Sequence, residues 1–214
     1  MRRAFAVLRL IVAIGVIAAV VGQFAKSLSM VANPGAFAAN FLSFFTIDSN
    51  LLTIVMLLAG AWFGFTKRRD DARFTLFRAS VTAYMATTGV VYALLLRDVS
   101  LDQATTLPWS NEILHVVAPL YVVLDWIFAP GRSPVRWDRL WLILTFPIIW
   151  LAYTLIRGPL VGWYPYPFLN PAQPGGYATV VLYIVAIAGF IGIVGVVVVW
   201  LSRLRVLGNG SRSR

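Results

Sequence analysis

The sequence contains no cysteine and only one histidine, His115. Without cysteine the chain can form no disulfide bond, thiolate nucleophile or iron–sulfur cluster. A single histidine also excludes bis-histidine haem and the zinc sites that need several histidine ligands. We therefore expect no metal and no cofactor. The candidate catalytic side chains are those of serine, threonine, tyrosine, lysine, the carboxylates and His115.

Charged residues are also scarce, at 12% of the chain, whereas 60% of the residues are hydrophobic. A soluble domain carries about 25% charged residues. The mean hydropathy is +0.81, and several apolar runs reach the roughly 20 residues that cross a bilayer core. The sequence predicts an all-α polytopic membrane protein, a bundle of six transmembrane helices. The predicted spans are residues 4–24, 41–65, 79–96, 113–128, 140–156 and 177–201.

The loops between these spans alternate in charge. Of the 18 basic residues, only Lys26, Arg97 and Arg157 fall on one side of the predicted spans. The others all fall on the opposite side. By the positive-inside rule the side that carries most of the basic residues is cytoplasmic, and so are both chain termini. The net charge of +10 therefore reflects topology, with anionic lipid headgroups as the expected partner and no nucleic acid. We predict one transmembrane domain, residues 1–206, and a disordered basic tail, residues 207–214.

His115 lies near the start of the fourth predicted span. An ionisable side chain within a membrane is costly, and it marks a functional site by default. Pro119 cannot donate a backbone hydrogen bond to the carbonyl of His115, so a bend is expected there, which either opens a wet pocket or shapes helix packing. Glu112 and Asn111 precede His115 by three and four residues, so either can orient the ring. Glu112 also suits the dipole of the first helical turn.

The second predicted span begins on the same side as the fourth and carries Thr46 and Asn50 on one helical face. We expect Thr46 to lie at the depth of His115, which allows a hydroxyl and an imidazole to meet. A structural role is also open, since buried threonines bond their own helix carbonyls or join helices. Asp48 projects away from Thr46, and we expect it to form an ion pair with one of the three basic residues on that side. A catalytic role for Asp48, as a residue that orients the site or assists at the oxyanion, also stays open.

Residues 157–168 alternate proline with aromatic residues between the fifth and sixth predicted spans. Tryptophan and tyrosine at this level commonly form an interfacial belt, and alternating proline and aromatic residues also make a stiff cap over a pocket. The two roles are compatible. The candidate substrate-binding residues here are Arg157, Trp163, Tyr164 and Tyr166, together with Arg97.

Taken together, these segments resemble the androgen-induced membrane proteins, a family that includes the androgen-dependent TFPI-regulating protein, and their six-span bacterial relatives. The matching residues are Phe45-Thr46 followed by Asn50, residues 111–115 and residues 157–168. Animal members are threonine hydrolases that cleave fatty acid esters of hydroxy fatty acids with a threonine and a histidine. The resemblance implies that Thr46 is the nucleophile and His115 the general base, acting on a lipid or fatty-acyl ester. The chain departs from the animal pattern in its outer loops and at Asp48.

The resemblance thus implies a carboxylic ester hydrolase of the bacterial plasma membrane with its site in the outer leaflet. Asn50 and Asn111 are the candidate oxyanion donors, and either of the two candidate arginines can hold a substrate carboxylate. Two other interpretations stay open: a small-molecule or proton-coupled transporter or channel whose polar path is lined by His115 and Asp48, and a lipid-binding protein without activity. A polar pocket closed toward the cytoplasm favours the hydrolase, whereas a continuous polar path favours transport.

Overall fold

The computed structural model describes residues 1–66, 68–99 and 105–204, so the predicted tail, residues 207–214, lies outside the described residues. The described residues form helices and no strand. Six of these helices are long and apolar enough to cross a membrane, which confirms the predicted all-helical class and the six candidate spans. The helices are α1 (Arg2–Leu28), the short α2 (Pro34–Phe41), α3 (Phe45–Phe65), α4 (Ala72–Leu96), α5 (Pro108–Phe128), α6 (Trp141–Val161) and α7 (Gly176–Leu201).

Each predicted span overlaps one long helix, but several helices extend beyond the prediction. Helix α4 begins at Ala72 instead of residue 79, because the side chain of Asp71 caps it by accepting a hydrogen bond from the N–H of Phe74 at 2.7 Å. Helix α5 begins at Pro108 instead of residue 113, since proline has no N–H to leave unpaired in a first turn. Hydropathy detects the apolar run but does not detect the polar cap that starts a helix before it.

All six long helices contribute buried residues to one hydrophobic core. Helices α1 and α3 pack against each other through small and apolar side chains, among them Ala13, Val16 and Leu57, which are fully buried. Helix α6 is peripheral, because most of its side chains are exposed on the outside of the bundle. Its buried residues are Ile143, Pro147, Thr154 and Gly158.

One end of the bundle contains a buried network of charges, and we call it the Asp125 end. Arg9 donates to the carboxylate of Asp125 at 2.8 Å and Arg78 donates to it at 2.9 Å, while Arg78 also bonds to Asp70. None of these four residues is more than 4% exposed. Two of the basic residues in the charge pattern of the sequence are therefore buried ion-pair partners that join α1, α4 and α5.

The opposite end, which we call the Thr46 end, is covered by α2. The side chain of Asn33 caps the N-terminus of α2. Phe37 and Phe41 of α2 then pack on Phe24 of α1, with ring centroids 5.5 and 5.1 Å apart. This aromatic cluster holds α2 against α1 and delivers the chain to the start of α3, where Thr46 lies.

Candidate active site at the Thr46 end

A cavity of about 390 Å³ lies at the Thr46 end, between α1, α3, α4 and α5. A water molecule takes about 30 Å³ of liquid volume, so the cavity has room for several waters. We call it the polar cavity. Its lining includes Thr46, His115, Tyr92, Asn111, Arg97 and Tyr166. The two residues for which the resemblance implies catalysis therefore line one cavity, although they are distant in the sequence.

His115 lies in a π-helical turn, Ile113–Val117, within α5. Here the N–H of Ala118 bonds to the carbonyl of Ile113, five residues earlier. Pro119 follows, and it has no N–H to offer the carbonyl of His115. The predicted irregularity at the proline thus takes the form of a wider helical turn just before it. Such π-turns inside α-helices occur frequently at functional sites.

The imidazole ring of His115 is held by two neighbours. Its Nδ1 lies 3.0 Å from the carbonyl oxygen of Asn111, and its face stacks on the ring of Tyr92, with centroids 4.3 Å apart. The side-chain amide of Asn111 also donates to the hydroxyl of Tyr92 at 2.6 Å. Because a carbonyl oxygen can only accept, the neutral ring carries its proton on Nδ1 and leaves the lone pair of Nε2 free.

Of the two residues expected to orient His115, Asn111 contacts the ring and Glu112 does not. The carboxylate of Glu112 lies 3.9 Å from the guanidinium of Arg97, and both side chains are at least half exposed. An exposed pair of this kind adds little stability. Glu112 therefore lies at the surface beside the cavity without a role in holding the imidazole.

Thr46 lies in the first turn of α3, where backbone N–H groups have no partner within the helix. The hydroxyl oxygen of Tyr166 accepts the N–H of Thr46 at 3.2 Å and lies 3.3 Å from its Oγ1. No side chain at Phe44, the residue before the helix, supplies a cap. Tyr166, predicted as a substrate-binding aromatic residue, is thus a direct contact of the Thr46 hydroxyl.

Tyr166 is 5% exposed. Burial raises the pKa of its phenol from 10.0 to about 12, while hydrogen bonds with Thr46 act in the opposite direction. The phenol therefore keeps its proton at neutral pH and remains able to donate a hydrogen bond.

Within the described residues, Thr46 and His115 form no direct hydrogen bond with each other. Thr46 reaches the polar cavity from α3, and His115 reaches it from the π-turn of α5. Catalytic hydrogen bonds are often long before substrate binds, and a proton can pass through one intervening water. The arrangement is compatible with a threonine–histidine pair that acts across the polar cavity.

Asn50 does not line the polar cavity, although it was predicted as an oxyanion donor. Its side-chain nitrogen donates to the carbonyl of Thr46 at 2.8 Å and to the carbonyl of Leu114 at 3.2 Å, which uses both of its N–H groups. The residue is 0% exposed. Asn50 instead joins the first turn of α3 to the π-turn that carries His115.

The ion pair expected for Asp48 is absent: its carboxylate forms no salt bridge with any described residue. The guanidinium of Arg97 lies near Glu112, and that of Arg157 donates to the side-chain oxygen of Asn40 at 2.6 Å. Asp48 is half-buried in the first turn of α3. A negative charge suits this position because the helix dipole is positive there.

Of the five residues predicted to bind substrate, only Arg97 and Tyr166 line the polar cavity. Arg157, Trp163 and Tyr164 lie outside its lining. The guanidinium of Arg157 stacks over the ring of Trp163, 5.5 Å from its centroid. The aromatic segment after α6 therefore acts mainly as a scaffold that places Tyr166.

A second cavity, of about 160 Å³, lies between α4, α6 and α7. We call it the apolar groove, because aliphatic side chains make up most of its lining. Thr46 and Tyr166 line the apolar groove as well as the polar cavity. Thr46 thus lies at the wall between a polar and an apolar compartment. The groove was not predicted, because its residues are indistinguishable in sequence from other apolar residues of a membrane span.

No group of three or more histidine, cysteine or acidic residues that could hold a metal ion occurs within the described ranges. Comparison of the chain with protein-family models, curated proteins and solved structures gives no match. The family resemblance therefore stays a prediction, and the chemistry of the site is argued from its geometry.

Proposed function

We propose that the protein is an integral-membrane carboxylic ester hydrolase that uses Thr46 as its nucleophile and His115 as its general base. The observation that carries this proposal is the position of Thr46, at the wall shared by the polar cavity and the apolar groove. A fatty-acyl ester, such as a fatty acid ester of a hydroxy fatty acid, has the same division between a reactive polar group and an apolar chain. Its carbonyl carbon would lie at Thr46.

In the first half-reaction the hydroxyl oxygen of Thr46 attacks the ester carbonyl carbon, and its proton passes through a cavity water to Nε2 of His115. The tetrahedral intermediate collapses when its C–O bond to the alcohol breaks and His115 returns the proton to the leaving oxygen. In the second half-reaction His115 takes a proton from water, which attacks the acyl-Thr46 ester. The bond between the acyl carbon and Oγ1 of Thr46 then breaks, His115 returns the proton to Oγ1, and the carboxylic acid leaves.

The oxyanion of each tetrahedral intermediate needs hydrogen-bond donors, and loss of one such donor typically costs about 10²–10³ in kcat. We assign this role to the phenol of Tyr166 and the side-chain amide of Asn111. The phenol contacts Thr46 and keeps its proton at neutral pH. The amide of Asn111 lines the cavity and has a second N–H beyond the one given to Tyr92. The partial positive charge at the start of α3 acts in the same direction.

The packing beneath the polar cavity supports an enzyme over a transporter. Toward the Asp125 end, large apolar side chains fill most of the space between α1, α3 and α5, and the buried amide of Asn50 and hydroxyl of Thr53 donate to backbone carbonyls. The apolar side chains include Val16, Met56, Leu57, Ala118, Val122 and Trp126, none more than 1% exposed. A polar path from His115 to the Asp125 end would have to displace these side chains.

We place the Asp125 end and both chain termini on the cytoplasmic side of a bacterial plasma membrane, with anionic lipid headgroups around the basic loops. The Thr46 end then lies in the outer leaflet. Because the natural chain has no cysteine, a single introduced cysteine reports its own location. An impermeant maleimide should label Ser29→Cys in intact cells and Asp138→Cys only after permeabilisation. The reverse pattern would invert the proposed orientation.

The catalytic assignment is tested with a fluorophosphonate probe on the detergent-purified protein. The probe should label Thr46, and the label should disappear in Thr46→Ala and in His115→Ala. Thr53→Ala is the matched control, because the Thr53 hydroxyl is fully buried and donates to the carbonyl of Ser49 at 2.8 Å. Labelling or esterase activity that persists undiminished in either of the first two variants excludes the assigned pair.

A further inference from the structure

We propose that the apolar groove binds a single acyl chain of the substrate, with the ester carbonyl at Thr46 and the chain running along α6 and α7, and that it selects substrates by chain length. This inference rests on the proposed function, which supplies the ester. It adds a binding site on helices that the catalytic residues do not occupy. The groove residues that carry the argument are Leu144, Leu151, Ile184, Ala188 and Ile191.

The direction of the groove matches that of an acyl chain in a bilayer. Its lining extends from Thr46 along α6 between Leu151 and Leu144, and along α7 between Ile184 and Ile191. Seven residues of α-helix rise about 10 Å. The groove therefore runs parallel to the helices, from the proposed nucleophile toward the middle of the bundle.

The groove is open on the side where α6 and α7 separate. Ala188 of α7 and Ile148 of α6 both line the groove and are exposed on the outside of the bundle. Pro147, which precedes Ile148 in α6, has no N–H for the helical hydrogen bond and also lines the groove. Because these helices are long and apolar enough to lie in lipid, a chain can enter from the bilayer without crossing water.

Thr46 lies in the wall of the groove, and this favours a substrate chain over a structural lipid. A structural lipid needs only an apolar surface. It does not need the Thr46 hydroxyl, which contacts the buried phenol of Tyr166 in the wall of the groove. The volume of about 160 Å³ is also small, so a single chain fits it better than the two chains of a phospholipid. The polar part of the ester would continue past Thr46 into the polar cavity.

Selection in this groove must come from shape. An acyl chain that leaves lipid for an apolar protein surface exchanges one hydrocarbon environment for another, so the hydrophobic effect contributes little to its binding. What the groove can supply is alignment of the chain, and exclusion of chains that do not fit it. Filling the groove should therefore alter the preference among chain lengths more than it alters the reaction itself.

The first test compares Ala188→Phe with Ala186→Phe. Both alanines are exposed on α7, but only Ala188 lines the groove. With purified protein and esters of palmitic and butyric acid, Ala188→Phe should lower the ratio of palmitoyl to butyryl hydrolysis about tenfold or more, in keeping with steric discrimination by an apolar pocket. Ala186→Phe should keep the wild-type ratio. An unchanged ratio in Ala188→Phe overturns the inference.

The second test does not require catalysis. Palmitic acid with a diazirine near the middle of its chain is photo-crosslinked to Thr46→Ala in lipid nanodiscs, and the adducts are mapped by mass spectrometry. Adducts should concentrate at Leu144 and Ile191, and Ala188→Phe should remove them. Adducts spread evenly over lipid-facing residues such as Ile149 would overturn the inference. So would adducts that decrease when more diacyl phospholipid is added but do not decrease when unlabelled palmitic acid is added. Concentrated adducts with no ester hydrolysis by the wild-type protein support the acyl site and exclude the hydrolase.

Discussion

The hydroxyl of Tyr166 lies 3.3 Å from Oγ1 of Thr46 and accepts the backbone N–H of the same residue at 3.2 Å. One oxygen atom from the segment after α6 thus caps the first turn of α3 and contacts the proposed nucleophile. An unpaired N–H buried at a helix terminus would cost free energy. The contact therefore has a structural role, as a cap for α3, and a proposed catalytic role beside the nucleophile. Experiments can separate these two roles.

Removing the hydroxyl in Tyr166→Phe should lower kcat for ester hydrolysis by about 10²-fold and change KM little, because an oxyanion donor acts mainly in the transition state. The phenylalanine ring keeps the packing against Phe44 and Phe168. Tyr164→Phe is the matched control, since Tyr164 lines neither the polar cavity nor the apolar groove. A kcat equal to that of the wild type would limit Tyr166 to its structural role.

The same tyrosine predicts how stability depends on pH. Its pKa in the folded protein is about 12, compared with an ordinary value of 10.0, because it is buried. Between these two values the unfolded chain binds fewer protons than the folded one, so the free energy of unfolding falls as pH rises. The contribution of the protonated Tyr166 phenol to the free energy of unfolding is complete below pH 10 and is lost by about pH 12. Chemical unfolding in detergent should show a smaller loss over this window in Tyr166→Phe than in the wild type.

Tyr92 should affect activity through its ring more than through its hydroxyl. The ring stacks on His115, with centroids 4.3 Å apart, and the hydroxyl accepts a hydrogen bond from Asn111. Tyr92→Phe keeps the stack, whereas Tyr92→Leu removes it and frees the imidazole to change its orientation. We expect kcat to fall about tenfold more in Tyr92→Leu than in Tyr92→Phe, in line with the sensitivity of catalysis to small misplacements. Equal losses in steady-state assays would exclude this positioning role.

The charge network at the Asp125 end should control stability, not catalysis. Asp125→Asn leaves Arg9 and Arg78 without their shared carboxylate charge, and breaking a buried pair in this way costs about 3–5 kcal/mol. Asp138→Asn is the control, because its pair with Arg136 is largely exposed and should contribute little. The measurement is the midpoint of thermal unfolding in detergent. A midpoint for Asp125→Asn equal to that of the control would contradict the prediction.

Much of the fold follows from the sequence because lipid leaves the chain few choices. A long apolar run in a bilayer must satisfy its backbone hydrogen bonds within itself, and only helices and closed barrels do so. The apolar runs therefore correspond to the six long helices, although polar caps such as Asp71 move their ends. Thr46 and His115 were expected at a common depth, and they line the same cavity.

Interactions between distant segments were less predictable. The expected ion pair of Asp48 is absent, and the amide of Asn50 joins two helices in place of facing the cavity. Both errors arise from reading a side chain's role from its position on a single helix. A polar side chain in a membrane bundle bonds to whichever backbone or side-chain group lies within about 3 Å, and that neighbour is set by how the helices pack.

The sequence by itself determined the six long helices and the placement of a hydroxyl and an imidazole near one end, because hydropathy and helical spacing are local properties. It did not determine the short α2. Tertiary structure alone decided that Tyr166 contacts Thr46, that Asp125 lies between Arg9 and Arg78, and that a polar cavity and an apolar groove share a wall at Thr46. Each of these depends on short-range contacts between residues far apart in the chain. Such contacts exist only after the helices have packed, since hydrogen bonding and close packing act over a few ångströms.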